Sequence, residues 1–251
     1  EVVRPVALPL TETLEDPATA PTSMSPSLSL LEQADAWHAE ARHQDALQHL
    51  EAEYALGSGA TSPELLWRLG RSLFAAADGD ERRADLERAL ELCTRAVRLD
   101  ARCFGAHKWS AVILGSLVDY YSTTDQIASS ATIKNELDAA LALNDDDATC
   151  HHVAARWCAQ MASIGWAQRR IAASLFGEIP SATLDEALAH FARAAQLDPS
   201  FKLNWFHYGR CLDAVGGRDD EARRAFKRAA DLPATTDEER TVDKECAKRL
   251  R

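Results

Sequence analysis

Residues 186 to 199 read Glu186-Ala187-Leu188-Ala189-His190-Phe191-Ala192-Arg193-Ala194-Ala195-Gln196-Leu197-Asp198-Pro199. They place Ala, an aromatic residue, Ala, Leu and Pro at the offsets of the second helix of a tetratricopeptide unit. Thr183-Leu184-Asp185-Glu186 supplies a capping box in front of it. Small residues are demanded where two helices touch, because no larger side chain fits there. Their spacing along the chain is therefore the test of a repeat.

Taking Ala34, Gly70, Ala111, Ala155 and Gly209 as the small residue of each first helix, and Ala46, Ala89, Ile133, Ala187 and Ala222 as that of each second helix, gives a register. The step from each second helix to the next first helix is 24, 22, 22 and 22 residues, nearly constant. Inside a unit the separation is 12, 19, 22, 32 and 13 residues. All the variation falls in the turn from first to second helix, so expansions of about 7, 10 and 20 residues crowd one rim of the array. Such a rim serves as a lid or a partner site. The expected architecture is an all-α solenoid of tetratricopeptide-like helical hairpins, with insertions at one rim. Its units span roughly 29–56, 63–100, 104–144, 148–198 and 201–232, and a capping helix over 236–250 covers the last apolar face. Residues 1–28, with Pro5, Pro9, Pro17, Pro21 and Pro26 among Thr and Ser, are expected to be a disordered leader.

Composition agrees: 46% of residues are apolar, Ala and Leu abound, and there are only 11 Gly and 9 Pro. A net charge of −11 argues against nucleic acid and against general adhesion to anionic membrane. No apolar run reaches the roughly 18 residues of a membrane span. Six cysteines without a CxxC pair read as reduced core thiols of a cytosolic protein. Cys150-His151-His152 with Cys158 matches no zinc spacing. Asp145-Asp146-Asp147 is a turn before a helix start rather than a calcium loop. Catalytic and nucleotide-binding fingerprints are missing, no cofactor is implied, and an enzyme is the least supported class.

The concave wall of such an array is lined by first-helix positions near 2, 5, 6 and 9: here Arg68, Arg71, Lys108, Trp109, His152, Arg156, Phe206, His207 and Arg210. This is a basic, aromatic groove on an acidic protein. One reading is capture of an acidic peptide, a terminal carboxylate or a phosphate group by charge-assisted hydrogen bonds. The other is solubilising charge, or pairing with carboxylates of the second helices. The insertion carries Ile164, Ala167, Ile171 and Leu175 at helical spacing, with Arg169 and Arg170 beside Trp166 and Phe176. An interfacial helix or a lid over an apolar cavity are two readings of it. A lengthened repeat helix packed on its neighbour is the third, favoured by the shortness of the cationic face.

At Leu65-Leu66-Trp67-Arg68-Leu69, Ala106-His107-Lys108-Trp109, His151-His152, Arg156-Trp157-Cys158 and above all Trp166 to Pro180, the chain resembles the regulator of microtubule dynamics family. The resemblance covers roughly Pro63 to Leu232, and the Phe176-Gly177-Glu178 tract inside a repeat insertion is its most specific part. Ala155 stands where Gly is usual, Ser110 where a bulky aromatic is common, and Asp145 where Pro follows the Leu-Asn ending. The resemblance implies a non-catalytic tetratricopeptide-like domain, in a family associated with microtubules and spindle poles. One membrane-anchored member tethers endoplasmic reticulum to mitochondria and binds phospholipid. Neither an anchor nor an acidic phenylalanine motif is evident in residues 1–28. The expected function is thus a scaffold whose groove engages an acidic protein segment such as a tubulin tail, in the cytoplasm or on microtubules. The alternative is a phospholipid-binding or transfer module at organelle contacts.

Overall fold

The computed structural model describes residues 29–57, 59–176 and 179–251, without the side chains of residues 59, 123, 124, 167, 175 and 176. The leader expected over 1–28 and most of the Phe176-Gly177-Glu178 tract lie outside the described residues. Among them, twelve α-helices and no strand are found. The first unit is α1 (Leu30–Ala39) with α2 (His43–Ala55), followed by α3 (Pro63–Ala76) with α4 (Arg82–Leu99) and α5 (Phe104–Leu117) with α6 (Thr123–Leu143). Then come α7 (Ala148–Ser163), an extra helix α8 (Trp166–Phe176) and α9 (Leu184–Leu197). The last unit is α10 (Lys202–Val215) with α11 (Asp219–Asp231), covered by α12 (Asp237–Arg249).

The small-residue register is what packs these helices. Ala34, Ala111, Ala155, Ala46, Ala89 and Ala187 are all fully buried, and so are Ala96, Ala140, Ala194 and Ala229 one heptad beyond the second-helix positions. At Gly70 a Cβ atom would sit 2.6 Å from Cys93 Sγ and 2.9 Å from the Ala89 carbonyl oxygen. At Gly209 it would sit 2.7 Å from the Phe226 ring. Gly209→Leu is accordingly expected to cost on the order of 1–3 kcal/mol by overpacking α10 against α11. A thermal melt checks this, and an unshifted Tm would show that α10 does not need a bare backbone there.

Local chemistry sets the helix ends. Ser29 with Glu32, Thr183 with Glu186 and Thr236 with Glu239 form reciprocal capping boxes. Ser62 caps α3 ahead of Pro63, and Asp147 accepts from the Cys150 N–H at 2.8 Å to start α7. Two first helices tie their entry turns alike. His107 Nε2 is 3.0 Å from the Ala101 carbonyl and His151 Nε2 is 2.9 Å from the Asp145 carbonyl, each six residues back.

The expansions occupy one rim, as first helices turn into second. Short 3-10 turns, Gly79–Glu81 and Val118–Tyr120, lead into the long helices α4 and α6. The largest expansion differs from the favoured expectation of a lengthened repeat helix. Ile164 turns extended at φ −69° and ψ 113°, α7 stops, and α8 starts afresh after Gly165. Helix α8 packs against α6.

Candidate functional site

Consecutive first helices α5, α7 and α10 present one face to a trough of about 940 Å³. Trp109 and Val112 come from α5, Val153 and Arg156 from α7, and Leu203 and Arg210 from α10. Val118 and Tyr120 of the turn between α5 and α6, and Glu238 of α12, also line it.

Of the nine groove residues expected from sequence, Trp109, His152, Arg156, His207 and Arg210 line this trough. The others are engaged elsewhere. Arg68 donates from Nε and Nη2 to Asp35 at 3.0 and 2.8 Å and from Nη1 to Glu64 at 2.5 Å, with its guanidinium stacked 4.2 Å over Trp67. Buried Arg71 donates to the same Asp35 at 2.8 Å. Burial opposes charge on Asp35, but hydrogen bonds from Arg68 and Arg71 outweigh it and hold the carboxyl below its ordinary range. Lys108 donates to Asp147 at 2.7 Å, which likewise overcomes burial and lowers that carboxyl. Phe206 is buried beside Phe226, with ring centroids 6.1 Å apart. The basic groove is thereby divided: Arg68, Arg71 and Lys108 are neutralised in place, mostly by acids of the first helices.

Arg156 and Arg210 are the exception. Both are exposed, and among the described residues neither has a carboxylate within 4 Å. The reason is visible in the register. One residue after each small first-helix position stand Asp35, Arg71, Val112, Arg156 and Arg210. These side chains succeed one another along the concave face, so Asp35 meets Arg71, whereas Arg156 and Arg210 are neighbours of like charge. Sequence reasoning overlooked Asp35, although this alignment contained the signal.

Two imidazoles accompany the arginines. Asn204 donates its amide N–H to the Phe191 carbonyl at 3.0 Å, which leaves its oxygen 3.1 Å from His152 Nδ1. His152 must then carry its proton on Nδ1, and burial lowers its pKa to about 4 despite that bond. Burial, Arg156, His152 and Arg210 together push His207 down to about 2. Both rings are uncharged at neutral pH. Charge recognition in the trough therefore falls to the guanidinium groups.

The insertion helix stands apart. Arg169 turns inward, donating to the Met161 carbonyl at 2.8 Å and the Pro180 carbonyl at 3.1 Å, and so closes both the end of α7 and the loop. Arg170 lies 5.7 Å over Trp166. Trp166 and Ile171 are 75% and 63% exposed while Ala172 is buried; of the apolar stripe read from spacing, Ile164 packs on the core, Ile171 does not, and the Ala167 and Leu175 side chains lie outside the described residues. None of the described α8 side chains lines the trough, and the Phe176 side chain lies outside the described residues. No described helix is long and apolar enough to cross a membrane.

An array of tetratricopeptide-like hairpins around a lined concave trough defines a protein-interaction module, the work such solenoids do. Among solved structures, the chain is similar to the thermophilic TPR protein TTC0263 of Thermus thermophilus. The TM-score is 0.57 at 19% identity, over 88% of this chain and 97% of that one, which shows the fold. Residues 30–251 match the family model for regulator of microtubule dynamics protein 1-3, and the chain belongs to that family. It is 35% identical over 227 residues to regulator of microtubule dynamics protein 1 of Pongo abelii, spanning 88% of this chain and 71% of the relative. With regulator of microtubule dynamics protein 3 of Xenopus laevis it shares 31% identity over 182 residues, 70% of this chain and 39% of the relative.

Proposed function

We propose that the trough binds an acidic segment of a partner protein, and that Arg156 and Arg210 carry the recognition. The observation behind this reading is the pair of exposed arginines at successive repeats, without a carboxylate within 4 Å among the described residues, on a chain of net charge −11. An anion seated beside them gains charge-assisted hydrogen bonds from the two guanidinium groups. The relatives' names carry microtubule dynamics, and a microtubule surface presenting acidic segments is the partner this groove suits. The Arg156→Glu/Arg210→Glu double variant is expected to lose roughly tenfold or more in microtubule co-pelleting affinity, with Tm close to wild type. Pelleting equal to wild type would remove the trough from the interaction. Arg68→Glu, by contrast, acts through Asp35 and is expected to lower Tm.

The apolar part of the lining, Val112, Val153 and Leu203, supports a second reading in which the trough holds phospholipid, its head group at the same arginines. Native mass spectrometry of the purified chain separates the two. A co-purified lipid mass favours the second, and a clean apo mass the first.

A further inference from the structure

The following rests on the acidic-segment reading of the trough and adds what lies beside the carboxylates. His152 packs against Phe201 with ring centroids 4.6 Å apart and against His207 at 5.6 Å, and all three line the trough. Because both imidazoles are uncharged, this surface is an aromatic wall rather than a cationic one. It also adjoins the free guanidinium groups. Arg156 and Arg210 both act electrostatically on His207, Arg156 one turn beyond His152 on α7 and Arg210 three residues beyond His207 on α10. A volume of about 940 Å³ far exceeds what one or two carboxylates fill, so recognition by charge alone would leave the wall wet.

We propose that the acidic segment recognised here carries an aromatic side chain next to its carboxylates, the carboxylates pairing with Arg156 and Arg210 while the ring packs on His207 and Phe201. An aromatic ring suits this wall better than an aliphatic chain on two counts. It meets the His207 and Phe201 rings edge-to-face or offset. Its face also accepts a guanidinium group, as the Phe206 ring already does, with Arg210 5.9 Å from its centroid. A protein segment is favoured over a lipid because the surface that adjoins the arginines is built of rings in tilted and edge-on contact, although aliphatic Val112, Val153 and Leu203 also line the trough.

The test is fluorescence anisotropy of the purified full chain with three labelled peptides: five glutamates, and the same peptide with tyrosine or alanine at the centre. The tyrosine peptide is expected to bind about tenfold tighter than the alanine peptide, and His207→Ala to shrink that advantage to roughly threefold or less. Equal affinity of the tyrosine and alanine peptides, with both bound, overturns this inference and leaves the acidic-segment reading standing. If no peptide binds, both fall, and a lipid mass retained by the same preparation then names the occupant. The comparison between peptides needs only wild-type protein, so a poorly folded His207→Ala variant does not blunt it.

Discussion

Lowering the pH from 7 to 5 is expected to destabilise the fold by about 2 kcal/mol for each of His38, His152 and His207. Burial lowers His38 to about 4, with Arg71, His43 and Lys108 adding to the effect and Asp35 opposing it. His152 is held at about 4 and His207 at about 2 for the reasons given above. In the unfolded chain each titrates near 6.5, so below that pH the unfolded state takes up a proton that the folded state refuses. Stability is fully present above the unfolded value and declines by about 1.4 kcal/mol per pH unit per group as the pH falls. A fourth contribution comes from the junction of α7 and α9, where His151 and His190 face each other Nδ1 to Nδ1 at 2.9 Å. His151 Nε2 already donates to a carbonyl, so His151 Nδ1 accepts from His190 while His151 is neutral. Burial and His151 lower His190, while Asp145 and Glu186 oppose and Lys134 reinforces the shift. Asp35 and Asp147, whose carboxyls are lowered, lose their contribution only at more acid pH, outside this window. Thermal melts should show Tm falling by more than about 10 °C between pH 7 and 5. His207→Phe should flatten the slope by one group's share. A Tm unchanged across that window would mean that these rings are not sealed from protons.

The fold was legible because its determinant is local and periodic. Helix contact leaves no room for a side chain at Gly70 or Gly209, and that demand recurs at a spacing readable without coordinates. The site was legible only in part, because the charge state of a groove residue depends on the unit next door. Arg71 and Arg156 hold the same place in the register. The first is neutralised by Asp35, 36 residues away, and the second has Val112 and Arg210 as its counterparts in the adjacent repeats. The insertion misled for a different reason. An apolar spacing of 164, 167, 171 and 175 suggests one buried stripe, yet Ile164 packs on the core while Ile171 faces solvent, and Arg169 turns inward to the Met161 and Pro180 carbonyls. Backbone acceptors at a helix end have no sequence signature.

Lys202→Met is expected to cost about 3 kcal/mol and to loosen the C-terminal end of the array before the rest. Lys202 is 1% exposed. Its Nζ donates to the carbonyls of Ala229 at 2.8 Å and Leu232 at 2.7 Å at the end of α11, and lies 2.5 Å from Asp243 Oδ1 on α12. One ammonium group thus closes α11, ties α12 to it and springs from α10. Methionine keeps most of the stem's apolar contact, so the loss isolates the polar part: the Leu232 carbonyl without its donor, the Ala229 carbonyl left with only the Leu232 N–H at 3.3 Å, and a carboxylate without its cation. The Asp243 side chain is 43% exposed although its paired Oδ1 is buried, so the carboxylate rather than that oxygen reaches water, and the cost stays below that of a fully buried pair. In a linear array such a loss is felt locally, because each unit contacts only its neighbours. Hydrogen exchange should therefore quicken in α12 and the end of α11 and remain near wild type in α3 to α6, while Tm falls by roughly 6–12 °C. Exchange that quickened evenly along the chain would show instead that the array unfolds as one unit and that Lys202 holds more than its end.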